Sequence, residues 1–91
     1  MEVLKESRAK IDALDDQIVD LLVQRMDIVR EVGIIKSKAN LAAIQPDRVI
    51  EVRERCAQRA ATKGLNPGMV RKIYGVIIDE AHEIEQAILS K

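Results

Sequence analysis

Two rows of apolar residues, each with a spacing of seven, run through the N-terminal stretch of this chain. Leu4, Ile11, Ile18, Val32 and Ala39 form one row, with Arg25 standing in the same series. Leu14, Leu21, Ile28 and Ile35 form the other, headed by Ser7. This heptad-like pattern predicts one helix from about Glu2 to about Ala39. No proline interrupts it, and Gly33 is its only weak helix former. At 1.5 Å per residue such a helix is ~55 Å long. A globule of 91 residues has a radius of gyration of only ~12–13 Å. Two shorter helices of the same chain cannot cover the whole seam, so the pattern predicts a dimer in which long helices pair.

A loop is expected at about Asn40 to Gln45. Its Leu41, Ala42, Ala43 and Ile44 are unusually apolar, which suggests that it lies over a pocket or a partner chain. Pro46 suits the first turn of a second helix, with Val49, Val52, Cys56 and Ala60 on its buried side. Lys63-Gly64 ends that helix, Gly64 serving as a left-handed cap. Asn66-Pro67 then reads as an N-cap followed by proline at the first helical position. The third helix is expected to run to about Leu89, with Val70, Ile73, Ile77, Ala81, Ile84 and Ile88 on one face. The fold class is all-α, long-short-long. No linker or repeat divides the chain, so residues 1–91 are expected to form a single domain.

Composition narrows the function. Tyr74 is the only aromatic residue, so the core must be aliphatic. Lys and Arg number 15, as do Asp and Glu, giving a formal net charge of zero. A general nucleic-acid binder needs a basic excess, so that class is disfavoured. Cys56 is the single cysteine, which rules out an intrachain disulfide and fits a reducing cytoplasm. No apolar run approaches the ~20 residues of a membrane span. Glu2, Lys5 and Glu6 make the N-terminus too charged for a signal peptide.

Arg25 is the most informative position. It occupies a seam that its neighbours fill with hydrocarbon, and a buried guanidinium must be paired and hydrogen-bonded. One reading is a polar residue that sets register, paired with a carboxylate of a partner chain. The other is an arginine facing a ligand cavity in the bundle. Lys36 lies eleven residues later, close to three full turns, so both point to nearly the same side. Alone, Lys36 also reads as a solvated lysine near a helix C-terminus. Arg8 is seventeen residues before Arg25, ~25 Å along the axis. It is either a surface residue or, in an antiparallel dimer, a contribution to the partner's site. Glu85 sits along the edge of the third helix's apolar face, as a salt-bridge partner or a site carboxyl. Arg48 can reach the same cavity or be a surface arginine. His82, the only histidine, reads as packed or exposed rather than as a base. Metal-ligand spacing, phosphate loops and nucleophile motifs are absent from the sequence. No metal or cofactor is therefore expected, and the candidate chemistry is electrostatic.

These residues together resemble the AroQ-type chorismate mutases over nearly the whole chain. Ile11-Asp12-Ala13-Leu14-Asp15, Leu21-Leu22-Val23-Gln24-Arg25 and Val32-Gly33-Ile34-Ile35-Lys36 align with the family's first helix without gaps. The resemblance implies an intertwined homodimer with two shared sites. It implies substrate-binding roles for Arg25 and Lys36 of one chain, Arg8 of the partner chain, and Arg48. Glu85 falls where many bacterial members carry a glutamine that donates to the substrate's ether oxygen. Ala81 replaces a serine that commonly contacts a carboxylate.

The departures from the family pattern are informative. Gln45 replaces an aspartate, and Val49 replaces the glutamate that accepts the substrate's 4-hydroxyl. The run Ile44-Gln45-Pro46-Asp47-Arg48-Val49, with Glu85 later, is most similar to the 4-amino-4-deoxychorismate mutases. The implied reaction is a Claisen rearrangement of an enolpyruvyl ether, chorismate or its 4-amino analogue, to a prephenate-type product. Two alternatives stay open: an isochorismate pyruvate lyase on the same fold, and a helical dimerisation module without enzymatic activity.

Overall fold

The computed structural model describes residues 2–91. Glu2–Leu4 form a short 3-10 turn that leads into α1, Lys5–Ala39. The expected helix thus begins with a tighter turn, because Leu4 at the N-cap offers no side-chain oxygen to the first amides. Asn40 ends α1 in the left-handed region, at φ 57°. α2 runs Pro46–Thr62 with proline in its first turn, and Gly64 beyond it has φ 76°. α3 runs Pro67–Leu89. The Asn66 side-chain oxygen accepts from the amides of Gly68 at 2.9 Å and Met69 at 3.4 Å. That is the expected cap.

α3 packs against both α1 and α2, whereas α1 and α2 do not approach each other's backbone. α1 and α3 run in the same direction, as two contacts show: Arg25 meets Tyr74, and Lys36 meets Glu85. Their close approach has a local cause. A Cβ built on Gly33 would lie 2.9 Å from Ile88 Cδ1 and 3.6 Å from the Glu85 backbone. Glycine at this point lets α1 sit down on α3.

The core is small and aliphatic: Val29, Ala43, Val52, Ala57, Ala60, Val70, Ile78 and Ala81. On α3 the expected inner face needs correction. Ile73 is exposed, while Ile78 and Glu85 are buried. α3 is flanked by helices on two sides, so its buried surface is rotated toward Val70, Ile78, Ala81 and Glu85 rather than following the stripe through Ile73.

The N-terminal half of α1 projects beyond this core. Leu14, Ile18 and Leu21 are 57%, 55% and 62% exposed. The chain is elongated, 56 × 26 × 14 Å, with a radius of gyration of 16.6 Å. Its accessible surface is 7101 Å², whereas a folded monomer of its 10.2 kDa mass exposes about 5,300 Å². No helix among the described residues is long and apolar enough to cross a membrane.

Candidate active site

Lys36 is in the last turn of α1. Its Nζ donates to Glu85 Oε1 at 2.5 Å and to the Ala43 carbonyl at 2.6 Å. Glu85 is only 5% exposed. An unpaired carboxylate at such a place is costly, and the ammonium from α1 answers it. The apolar loop between α1 and α2 answers the ammonium in turn, since Ala43 is buried and turns its carbonyl inward. A lysine ammonium has three donors. Two are engaged, and the third is open to the space beside it.

That space is a cavity of about 430 Å³. Ligand sites commonly have volumes of about 300–1,000 Å³. Its walls come from all three helices and the loop. Arg25 and Lys36 enter from α1, Gln45, Arg48 and Val49 from the start of α2, and Ala81 and Glu85 from α3. Seven of the eight residues singled out from the sequence thus line one cavity. Arg8 does not; it is exposed on the projecting half of α1.

The cations differ in how they are held. Arg25 has no carboxylate partner among the described residues. Its guanidinium lies 5.9 Å from the centre of the Tyr74 ring. Arg48 pairs with Glu51 on its own helix and is largely exposed. Gln45, which opens α2, donates weakly to the Ala42 carbonyl at 3.4 Å. Its own amide oxygen stays available to accept. Val49 presents hydrocarbon to the cavity, and the buried Ala81 side chain offers no hydrogen bond.

Several contributors were not foreseen. Ile28, Val29, Val32, Val52 and Ile78 supply the apolar walls, and His82 lines the cavity as well. The Ala43 carbonyl is a backbone group, for which the unusually apolar loop was the only signal. Tyr74 was noted only as the single aromatic. It stands eleven residues before Glu85, the interval that separates Arg25 from Lys36. Burial pushes its phenol above the ordinary tyrosine range, helped by the neighbouring Cys56 thiol, while Arg25 and Arg55 pull it back.

Among the described residues no cluster of His, Cys, Asp or Glu could hold a metal ion. The arrangement suits recognition of a compact, apolar-bodied dianion. Two cations sit about three turns apart along one wall, at ~16 Å between backbones, and both line the cavity. The Glu85 carboxyl stands beside Lys36, and the Gln45 amide lines the same space.

Comparison with known proteins shows the family. Residues 7–86 match the family model for chorismate mutase type II. The chain is 34% identical over 88 residues to the 4-amino-4-deoxychorismate mutase of Streptomyces venezuelae, covering 97% of this chain and 85% of that relative. It is 33% identical to the 4-amino-4-deoxychorismate mutase of Streptomyces pristinaespiralis, over 86% of this chain and 60% of that longer relative. Against the chorismate mutase of Methanocaldococcus jannaschii the identity is 23%, over 100% of this chain and 92% of that relative.

Proposed function

The chain belongs to the chorismate mutase type II family, a family of isomerases, and from that premise we propose that it rearranges 4-amino-4-deoxychorismate to the 4-amino analogue of prephenate. The observation that carries this reading is the composition of one cavity. It holds Arg25, Lys36 and Arg48 for the two carboxylates and the ether oxygen, but has Val49 and Gln45 where a 4-hydroxyl would be selected. Valine removes the acidic acceptor and so relaxes selection for the hydroxyl. The free amide oxygen of Gln45 accepts from an amino group as readily as from a hydroxyl. The two Streptomyces relatives bearing that substrate's name support the same choice.

The rearrangement is pericyclic: the ether C–O bond breaks as a C–C bond forms, with no nucleophile and no net proton transfer. The protein restricts the substrate to the chair-like diaxial conformer, which removes part of the entropic barrier. Arg25 binds one carboxylate. The open donor of Lys36 serves the ether oxygen and the adjoining carboxylate, so charge developing there meets a preorganised ammonium. Glu85 holds the Lys36 ammonium in place for that role, at 2.5 Å. Arg48 supports a carboxylate at the cavity mouth.

The site is completed by a second copy. The excess exposed surface, on the order of 1,800 Å² relative to the monomer scaling, exceeds the ~800 Å² per partner of a standard interface. The apolar seam of α1 offers such a surface, with Ile11, Leu14, Ile18, Leu21, Ile28 and Ile35 all exposed. An antiparallel partner laid there brings its Arg8 toward the cavity of this chain. Residues 1–91 act as one domain within that homodimer, whose small-molecule partner is the dicarboxylate.

Separate assays with chorismate, 4-amino-4-deoxychorismate and isochorismate, with products resolved by chromatography, test the reading. The expected result is the highest kcat/KM on the amino substrate with a rearranged product. Equal or better turnover of chorismate would overturn the substrate choice. Release of pyruvate from isochorismate as the dominant reaction would overturn the rearrangement.

A further inference from the structure

Arg25 poses a problem of orientation. A guanidinium that is to receive a substrate carboxylate must be fixed before the substrate arrives, yet its donors must stay unused. A protein carboxylate would fix it but would compete with the substrate for the same N–H groups. Arg25 has no such partner among the described residues. It lies instead over the ring of Tyr74, 5.9 Å from the centroid. A ring face attracts the cation without occupying its in-plane donors.

Tyr74 is itself held. It projects from α3, half-buried, and lines a small cavity with Cys56, Arg59 and Ala60 of α2 and Val70 of its own helix. The ring thus stands between α2 on one side and the Arg25 guanidinium of α1 on the other. The same eleven-residue interval places a rigid aromatic under Arg25 and an acid under Lys36 on the parallel helix. The two cations of α1 are thus supported by different chemistry: Lys36 by a carboxylate and a carbonyl, Arg25 by a π face.

We propose that Tyr74 is a positioning residue for the reaction, whose ring holds the Arg25 guanidinium toward the cavity with its donors free for a substrate carboxylate. This inference rests on the reading of Arg25 as a substrate-binding group. It assigns no contact between Tyr74 and the substrate.

The test compares Tyr74→Leu, Tyr74→Phe and Arg25→Leu in the full chain. Kinetics are measured on whichever enolpyruvyl substrate the wild type turns over best, with thermal unfolding followed alongside. Losing the ring should lower kcat/KM about tenfold, mainly through KM, the size expected of a partly desolvated cation–π contact. Phenylalanine keeps the ring and should restore kcat/KM to within about twofold by the same argument. A second readout does not need activity. Tyr74 is the only aromatic residue, so the absorbance titration of tyrosinate reports on it alone. Arg25 pulls the phenol's titration down, so Arg25→Leu should move that titration to higher pH. Tyr74→Leu with normal kcat/KM beside a crippled Arg25→Leu would overturn the inference and leave the reading of the cavity intact. So would a tyrosinate titration that Arg25→Leu does not move. Normal turnover in Arg25→Leu would instead overturn the reading of the cavity, and the proposal with it.

Discussion

Lys36 and Glu85 lie forty-nine positions apart in sequence and meet at 2.5 Å, the ammonium from the end of α1 and the carboxylate from the last turns of α3. Each resolves the other's burial, and together with the Ala43 carbonyl they fix one wall of the cavity. The contact exists because Gly33, one turn before Lys36, brings the two helices together directly beside Glu85.

The first prediction concerns the two cations of α1. Lys36→Ala and Arg25→Ala should each lower kcat by about 10²–10³-fold, the loss typical of removing one preorganised donor from a charge-stabilising site. Gel filtration and far-UV circular dichroism should show the same assembly and helicity as the wild type. Lys36→Ala should also lower Tm, because it leaves Glu85 buried without its partner. Adding Glu85→Gln to that variant should recover much of the Tm and none of the rate. Near-normal turnover in either single variant would remove that residue from the site.

The second prediction concerns Glu85. Its carboxylate holds the Lys36 ammonium at 2.5 Å, whereas an amide at the same place can accept from Lys36 and also donate to the ether oxygen. Glu85→Gln should therefore keep kcat within about tenfold of the wild type, in contrast to the larger loss in Lys36→Ala. Steady-state kinetics on the preferred substrate is the measurement. A loss as large as that of Lys36→Ala would show that the charge of Glu85, and not its hydrogen bond, positions the lysine.

Much of this site was legible in the sequence because helices obey a fixed period. With Arg25 in an apolar seam, the helical period puts Lys36, three turns on, on nearly the same side, although a solvated lysine near the helix end fits the sequence as well. Pro46, Gly64 and Asn66-Pro67 marked the helix ends because each residue type has a distinct backbone preference. Contacts between helices were not legible in the same way. The burial of Glu85 depends on the absence of a large side chain at Gly33, and the inward turn of the Ala43 carbonyl on a loop conformation. Ile73 was placed inward because the period fitted it equally well. Only the two-sided packing of α3 leaves Ile73 exposed while Val70 and Ala81 of the same stripe are buried.

The third prediction addresses Gly33. A methyl group there meets the far end of the Ile88 side chain, which can rotate, and is otherwise at ordinary contact distance from Glu85. Alanine also gains about 1 kcal/mol in helix propensity over glycine. Gly33→Ala should thus change stability by no more than about 1 kcal/mol. Gly33→Leu cannot be accommodated without separating α1 from α3, and should lower Tm and activity together. Chemical denaturation of both variants is the measurement. A Leu variant as stable and active as the wild type would mean that the close approach does not position Lys36.

The last prediction tests the shared site. If Arg8 of each chain completes the cavity of its partner, Arg8→Ala and Lys36→Ala should each give an inactive or weakly active homodimer. In a mixed dimer the two lesions fall together. One cavity receives both the Lys36→Ala wall and the missing Arg8, and the other is wild type throughout. Unfolding the two variants together and refolding them should therefore recover about a quarter of wild-type activity, since random pairing makes half the dimers mixed and each mixed dimer has one intact site. The separately refolded variants, combined afterwards without exchange, serve as the control. A monomer whose Arg8 is only a surface residue predicts no recovery. It also predicts that Arg8→Ala alone is fully active, and that Tm does not depend on protein concentration.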